Sequence, residues 1–175
     1  MASYSSSKPA KTLACLIALM IGSPAMSEES LGFDASKLEA GLSFGTLTLS
    51  HGSYPENTTS LAIFRIGYEM TDYLTAEGEM TVRIDGETIG GQDYENYYQA
   101  AFVRADYTLT NLPLALHARV GILNTEGRHD DRGAAIGVGA SLPVMGQFVL
   151  RGDATIVDLD IGRAEVFGLG LNIEF

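Results

Sequence analysis

Past Cys15 the chain has no cysteine, past Lys37 no lysine, and before Glu28 no acidic residue. Each absence excludes something. Without acids, and with Lys8 and Lys11 ahead of an unbroken apolar stretch from Leu13 to Ile21, the first residues read as a secretory signal peptide. Ser23-Pro24-Ala25 supplies small residues for cleavage after Ala25, so 1–25 is expected to be removed and 26–36 to form a short periplasmic leader. Those nine apolar residues are too few to be an anchoring helix, because a bilayer core needs about 20. Most of the apolar stretch follows Cys15, which is not the order of a lipoprotein signal. Cleavage also removes that cysteine, so no disulfide can form.

The remainder keeps nine of the 11 basic residues and all 22 acids, a net charge of −13. No nucleic acid partner is expected, since little here would neutralise phosphates. A basic helix lying on a membrane surface is equally disfavoured.

What is present is alternation. From Leu38 onward apolar residues recur at every second position, as they must where successive side chains point to opposite faces. Eight runs are expected, over 37–49, 61–70, 73–84, 97–109, 113–124, 133–142, 147–158 and 164–175. Their length suits tilted membrane-crossing strands. Thr71-Asp72, Thr110-Asn111-Leu112 and Pro143-Val144-Met145-Gly146 read as tight turns. The connections at 50–60, 85–96 and 125–132 are longer and more polar, and the last, near 159–163, is short. Short turns on one rim and longer loops on the other suit a barrel with its turns in the periplasm. Gly133 to Leu150 lacks charge, but four glycines and Pro143 make it a hairpin and not a helix.

Alternation alone does not say which face is outside, because a soluble lipocalin-like barrel alternates too. The contents of the faces decide. One is apolar, as in Leu42, Phe44, Phe64, Ile66, Val120, Ile122, Ile136, Val138, Leu169 and Leu171. The other carries Glu39, Arg65, Glu69, Glu77, Glu79, Arg83, Arg104, Asp106, His117, Arg119, Arg151, Asp153 and Glu174, with Gly41, Gly45, Gly67, Gly121, Gly137, Gly139, Gly168 and Gly170 among them. All eight basic residues after Lys37 are arginine. Arginine suits buried, multidentate ion pairs, whereas a solvated face would carry lysine too. The charged face is therefore expected to fill the lumen as an ion-pair network, and the apolar face to meet lipid. Across the Thr71-Asp72 turn, the shared odd numbering places Arg65 opposite either Glu79 or Glu77. Across the next-to-last turn, Gly137 and Gly139 are expected beside Asp153 and Arg151. Tyr68, Tyr107, Phe148 and Phe175 would form one interfacial girdle, with Tyr97 and Phe167 near the other.

Ile66-Gly67-Tyr68 leading into Thr71-Asp72-Tyr73-Leu74-Thr75-Ala76-Glu77, and the ending Gly168-Leu169-Gly170-Leu171-Asn172-Ile173-Glu174-Phe175, resemble the small outer-membrane β-barrels that include the OmpA transmembrane domain, OmpX and the opacity proteins. The resemblance covers about 36–175. It implies an all-β, eight-stranded antiparallel up-and-down transmembrane barrel over 37–175 in the bacterial outer membrane. It also implies that the terminal Phe175 is an assembly signal read by the barrel-insertion machinery. Unlike in OmpA, no peptidoglycan-binding domain is expected after the barrel.

Chemical motifs are sparse. His51-Gly52-Ser53 places His and Ser two apart, as in some barrel deacylases, but in a loop with no acidic partner to assign. His129 with Asp130 and Asp131 reads as a solvated loop, and Asp85-Gly86-Glu87 and Asp93-Tyr94-Glu95 lack calcium-loop spacing. No cofactor, metal site or catalytic residue is expected, so the chain is not read as an enzyme. The leading expectation is a structural or surface-interaction barrel, with its lipids around it and a surface ligand bound through 50–60, 85–96 and 125–132. A narrow porin-like channel is the alternative, and a lipid-modifying enzyme a distant third.

Overall fold

The structure is a computed structural model that describes residues 34–50, 57–86, 88–89, 92–93, 97–126, 131–160 and 162–175. The expected signal peptide, most of the expected leader and the His51-Gly52-Ser53 and His129-Asp130 motifs lie outside the described residues.

A short 3-10 turn, Ala35–Lys37, leads into strand β1, Leu38–Ser50. Then come β2 (Asn57–Thr71), β3 (Leu74–Gly86), the two-residue pieces β4 (Thr88–Ile89) and β5 (Gln92–Asp93), β6 (Tyr97–Thr108), β7 (Ala115–Glu126), β8 (Asp131–Met145), β9 (Phe148–Leu159) and β10 (Gly162–Glu174). The eight long strands close into one antiparallel barrel in the order β1-β10-β9-β8-β7-β6-β3-β2. The β4–β5 hairpin stands apart as a two-stranded sheet that the alternation did not announce. No helix among the described residues is long and apolar enough to cross a membrane.

Three short turns fall at one end, together with the start of β1 and the end of β10, while the short β9–β10 connection falls at the other. The residues between β2 and β3 are Asp72-Tyr73, and between β8 and β9 Gly146-Gln147. Gly146 has φ 57°, which a residue with a side chain would adopt only under strain and which suits the first place of a two-residue hairpin turn. Between β6 and β7, Leu109 N–H bonds Leu114 O at 2.9 Å, closing the connection just after Pro113. The other connections leave from the opposite end, called here the loop end.

The ladders fix which residues face one another. Arg65 pairs with Glu79, the first of the two registers open from sequence. Between β8 and β9 the register differs from expectation by one residue pair. Gly139 faces Asp153, Ser141 faces Arg151 and Gly137 faces Thr155. The cause is local: β8 runs on to Met145, the turn moves to Gly146-Gln147, and the ladder slips between Pro143 and Met145. Pro143 has no N–H to give the ladder, so an irregularity there costs no hydrogen bond.

The apolar face looks outward. Phe44, Val120, Ile122, Ile136, Val138, Leu169 and Leu171 are 49–62% exposed around the barrel wall. A contiguous belt of this kind would be unstable in water and is stabilised by hydrocarbon. Tyr73, Tyr107, Phe148 and Phe175 are exposed at the turn end.

Candidate functional site

The candidate site is the lumen, and it has two layers. Alternation delivers one side chain inward from every second position of every strand, and β1, β2, β6, β7 and β9 contribute to both layers.

The layer toward the turn end is ionic. Arg104 from β6 donates to Glu39 through Nη1 at 2.6 Å and Nη2 at 3.1 Å, and to Asp106 through Nε at 2.8 Å. Its Nη1 also reaches Glu77 on the neighbouring β3. Arg151 from β9 grips both oxygens of Glu77, with Nη2 to Oε2 at 3.1 Å, and binds Asp153 through Nε and Nη2 at 3.0 and 2.9 Å. Arg65 donates to Glu79 through Nε at 2.7 Å and lies 3.2 Å from Asp153. Arg119 reaches Glu79 as well, donates to Thr155 through Nη2 at 2.6 Å, and stacks 4.3 Å above the ring of Phe102. His117 Nε2 lies 2.8 Å from Asp153. Every arginine here has at least two carboxylate or hydroxyl partners. That multidentate satisfaction is what makes a buried charge tolerable.

Glycine makes the room. A Cβ on Gly139 would collide with the His117 ring, and one on Gly67 would strike the Glu39 carboxylate. The glycines of β8 shelter His117 and Arg119 of β7; Gly139 also stands opposite Asp153, as the sequence suggested, but Arg151 faces Ser141 and not a glycine.

The layer toward the loop end is apolar. Leu47, Leu61, Ile63, Tyr98, Phe102, Leu123, Ala135, Val157, Leu159, Ala164 and Val166 form one buried cluster. Leu47, Leu61, Ile63, Leu123 and Val157 are 0–1% exposed. Tyr98 joins the layers: its ring packs in the cluster while its hydroxyl donates to Glu79 Oε2 at 3.1 Å. Its backbone N–H and C=O both bond the Thr81 hydroxyl, at 2.7 and 3.0 Å, where the β3–β6 ladder stops at Met80–Gln99.

Of the thirteen charged or His positions assigned to the lumen from sequence, ten meet in the ionic layer: Glu39, Arg65, Glu77, Glu79, Arg104, Asp106, His117, Arg119, Arg151 and Asp153. Glu69 and Glu174 are exposed at the turn-end rim, and Arg83 is half-buried toward the loop end. Sequence reasoning passed over Tyr98 and Phe102, although their even numbers share the inward parity of Arg104 on the same strand. It also passed over Thr75, Thr155 and the whole apolar layer.

One line of atoms has the order of a hydrolase triad. Ser141 Oγ is 3.5 Å from His117 Nδ1, and His117 Nε2 faces Asp153. The Ser–His contact is at the outer limit of a hydrogen bond. Asp153 already serves Arg151 and Arg65, so it has little left to stabilise an imidazolium. Among the described residues no group of His, Cys, Asp or Glu is arranged to hold a metal ion.

The Arg65–Glu79 contact gives a measurable coupling. Arg65→Ala and Glu79→Ala should each lower the unfolding midpoint in denaturant. The double variant should lose less than the sum of the two, because neither charge is then left alone. Strict additivity would show that the pair carries no interaction energy.

The sequence matches the family described as outer membrane protein beta-barrel domain over residues 12–175. No curated protein matches the sequence. Solved structures of the same fold include Neisserial surface protein A, at 16% identity and TM-score 0.66, covering 82% of this chain and 100% of that one. The attachment invasion locus protein Ail of Yersinia pestis aligns at 16% identity and TM-score 0.58, over 78% of this chain and 98% of its own. The outer membrane protein OprG of Pseudomonas aeruginosa aligns at 8% identity and TM-score 0.60, over 83% and 99%. At these identities the structures speak for the fold, and the family match, which spans most of the sequence, supplies the membership: the chain belongs to the outer-membrane β-barrel domain family and is a protein of the bacterial outer membrane.

Proposed function

We propose that this barrel is a structural and surface-interaction element, acting through its loops, with a lumen that does not conduct. The observation that carries this reading is the double filling of the lumen. An eight-stranded barrel has an interior that side chains just fill. Here Arg119 and Arg151 in one layer, and Leu47, Leu61, Ile63 and Leu123 in the next, are at most 2% exposed. An ion would have to displace an ion-pair network and then cross a dry apolar layer, and both steps are costly. Reconstituted protein in planar bilayers should show no steady open level. Long-lived open channels would overturn this reading and put the narrow porin-like alternative in its place.

The loops give the partner its chemistry. The segments 50–60, 85–96 and 125–132 carry eight acids against two arginines. A partner with positive charge fits them, and a polyanion does not. Ail has been solved with a heparin analogue; the acidic loops here argue for a different ligand. We further propose that the signal peptide is cleaved, that the tight turns face the periplasm, and that these loops face outside. A cysteine introduced at Asn111 should resist a membrane-impermeant maleimide on intact cells, and one at Gly90 should react. The reverse pattern would invert the topology.

The enzymatic reading has weak footing, since the Ser141–His117–Asp153 line has a long first contact and an acid already shared by two guanidiniums.

A further inference from the structure

Where the two layers meet, three inward side chains hold polar atoms without a partner: Arg65, Ser43 Oγ and Asn172 Oδ1. All three are deeply buried, at 3%, 0% and 3% exposure. On Arg65 the partnerless atoms are Nη1 and Nη2, and Nη2 at least has carboxylates close by, so Nη1 is the orphan.

The ladders bring these atoms to one place. Gly41 on β1 pairs with Arg65 of β2 on one side and with Asn172 of β10 on the other. Neighbouring strands lie about 5 Å apart, so Arg65 and Asn172 stand on the two strands that flank Gly41, with only β1 between them. The Asn172 side chain lies over Gly41, where a Cβ would sit. Ser43 is the next inward position on β1 and pairs with Gly170, over which its hydroxyl leans. Above them Ile63 reaches across to Gly168, where the apolar layer begins. Glycines thus line the wall, and an aliphatic side chain roofs it.

We propose that Arg65, Ser43 and Asn172, gathered around Gly41, together form a binding site for internal water. The chemistry selects the ligand. Arg65 Nη1 can only donate, Asn172 Oδ1 can only accept, and the Ser43 hydroxyl does either. A ligand that satisfies all three must accept and donate at once. Chloride cannot donate to the amide oxygen, and a metal cation would face the guanidinium. Water does both, and buried waters make about three hydrogen bonds to groups of this kind. Three buried polar groups left bare would each cost free energy that a single bound molecule offsets.

A crystal structure at a resolution that shows ordered solvent tests this, with a second crystal soaked in bromide. The expected result is a water peak within hydrogen-bonding distance of Arg65 Nη1, Ser43 Oγ and Asn172, with no anomalous signal. In Ser43→Ala, which removes one partner and little volume, the peak should weaken or vanish while the barrel is unchanged. A bromide peak at the site would make it an anion site and overturn the assignment. So would an Asn172 side chain swung directly onto Arg65 with no density between them, or a water peak that Ser43→Ala leaves untouched.

Discussion

Glu77→Ala is expected to lower the unfolding free energy of the barrel by about 3 to 5 kcal/mol, the order seen when one partner of a buried ion pair is removed. Glu77 is the residue on which the ionic layer converges. Its carboxylate binds Arg104 from the adjacent strand β6 and Arg151 from β9 across the lumen, and Arg119 lies 3.9 Å away. Its side chain is 0% exposed. Alanine leaves two guanidiniums short of an anion where solvent cannot readily replace it. Glu77→Gln keeps the shape and one acceptor but not the charge, and should fall between wild type and alanine. Urea unfolding in detergent or lipid, read by the change in mobility between folded and unfolded barrel, provides the measurement. Midpoints equal to wild type would mean that water enters the layer freely, and the closed lumen would lose its main support.

Deleting Phe175 should remove most of the assembled protein from the outer membrane, with unassembled chain accumulating in the periplasm. Two contributions act together. The Phe175 N–H donates to Leu38 O at 3.1 Å, the last hydrogen bond of the seam between the first and last strands, and the ring is exposed toward the interface. The resemblance to small outer-membrane barrels adds a recognition role for the terminal aromatic. Refolding of the purified variant in detergent separates the two. The seam retains its 12 paired positions without Phe175. The truncated chain should therefore still fold in vitro while failing in cells. Normal yield in cells would remove the recognition role, and failure in both settings would make the residue structural.

Some of this was legible in the sequence, and the reason is periodicity. Where one face is apolar and the other polar, the two-residue repeat fixes strand, face and even pairing. Strand β3, with Glu77 and Glu79 inward against Met80 and Val82 outward, is such a case, and a two-residue turn then left only two registers with β2. The apolar layer was illegible for the complementary reason. Near the loop end both faces are apolar: Leu61-Ala62-Ile63-Phe64, Ile122-Leu123 and Ile156-Val157 show no alternation to read. Such runs mark a strand covered on both sides. The loss of alternation was itself the signal, and parity carried inward from Arg65 to Ile63 and Leu61 would have found the layer. The β8–β9 register was missed because Pro143 was taken into the turn when it belongs to a strand that slips beside it. The orphan atoms of Ser43 and Asn172 lay beyond sequence reasoning altogether, since nothing in an isolated Ser or Asn reveals that it faces a glycine across the seam.

The seam between β1 and β10 has a kinetic meaning. Every other ladder of the barrel joins strands that follow one another along it, while this one joins residues at least 113 positions apart. Bringing such distant ends together costs chain entropy on the order of 4 kcal/mol beyond the constant term, and ladders of long sequence separation form slowly. The reward for that step comes in part from the seam's own ladder of 12 paired positions. It also comes from pairs that link strands on either side of the seam, Arg65 of β2 with Asp153 of β9 and Arg151 of β9 with Glu77 of β3, which meet only when the cylinder is shut. A half-zipped sheet would expose these charges to hydrocarbon. Closure and neutralisation are thus a single concerted event, and partly open barrels should be too short-lived to accumulate.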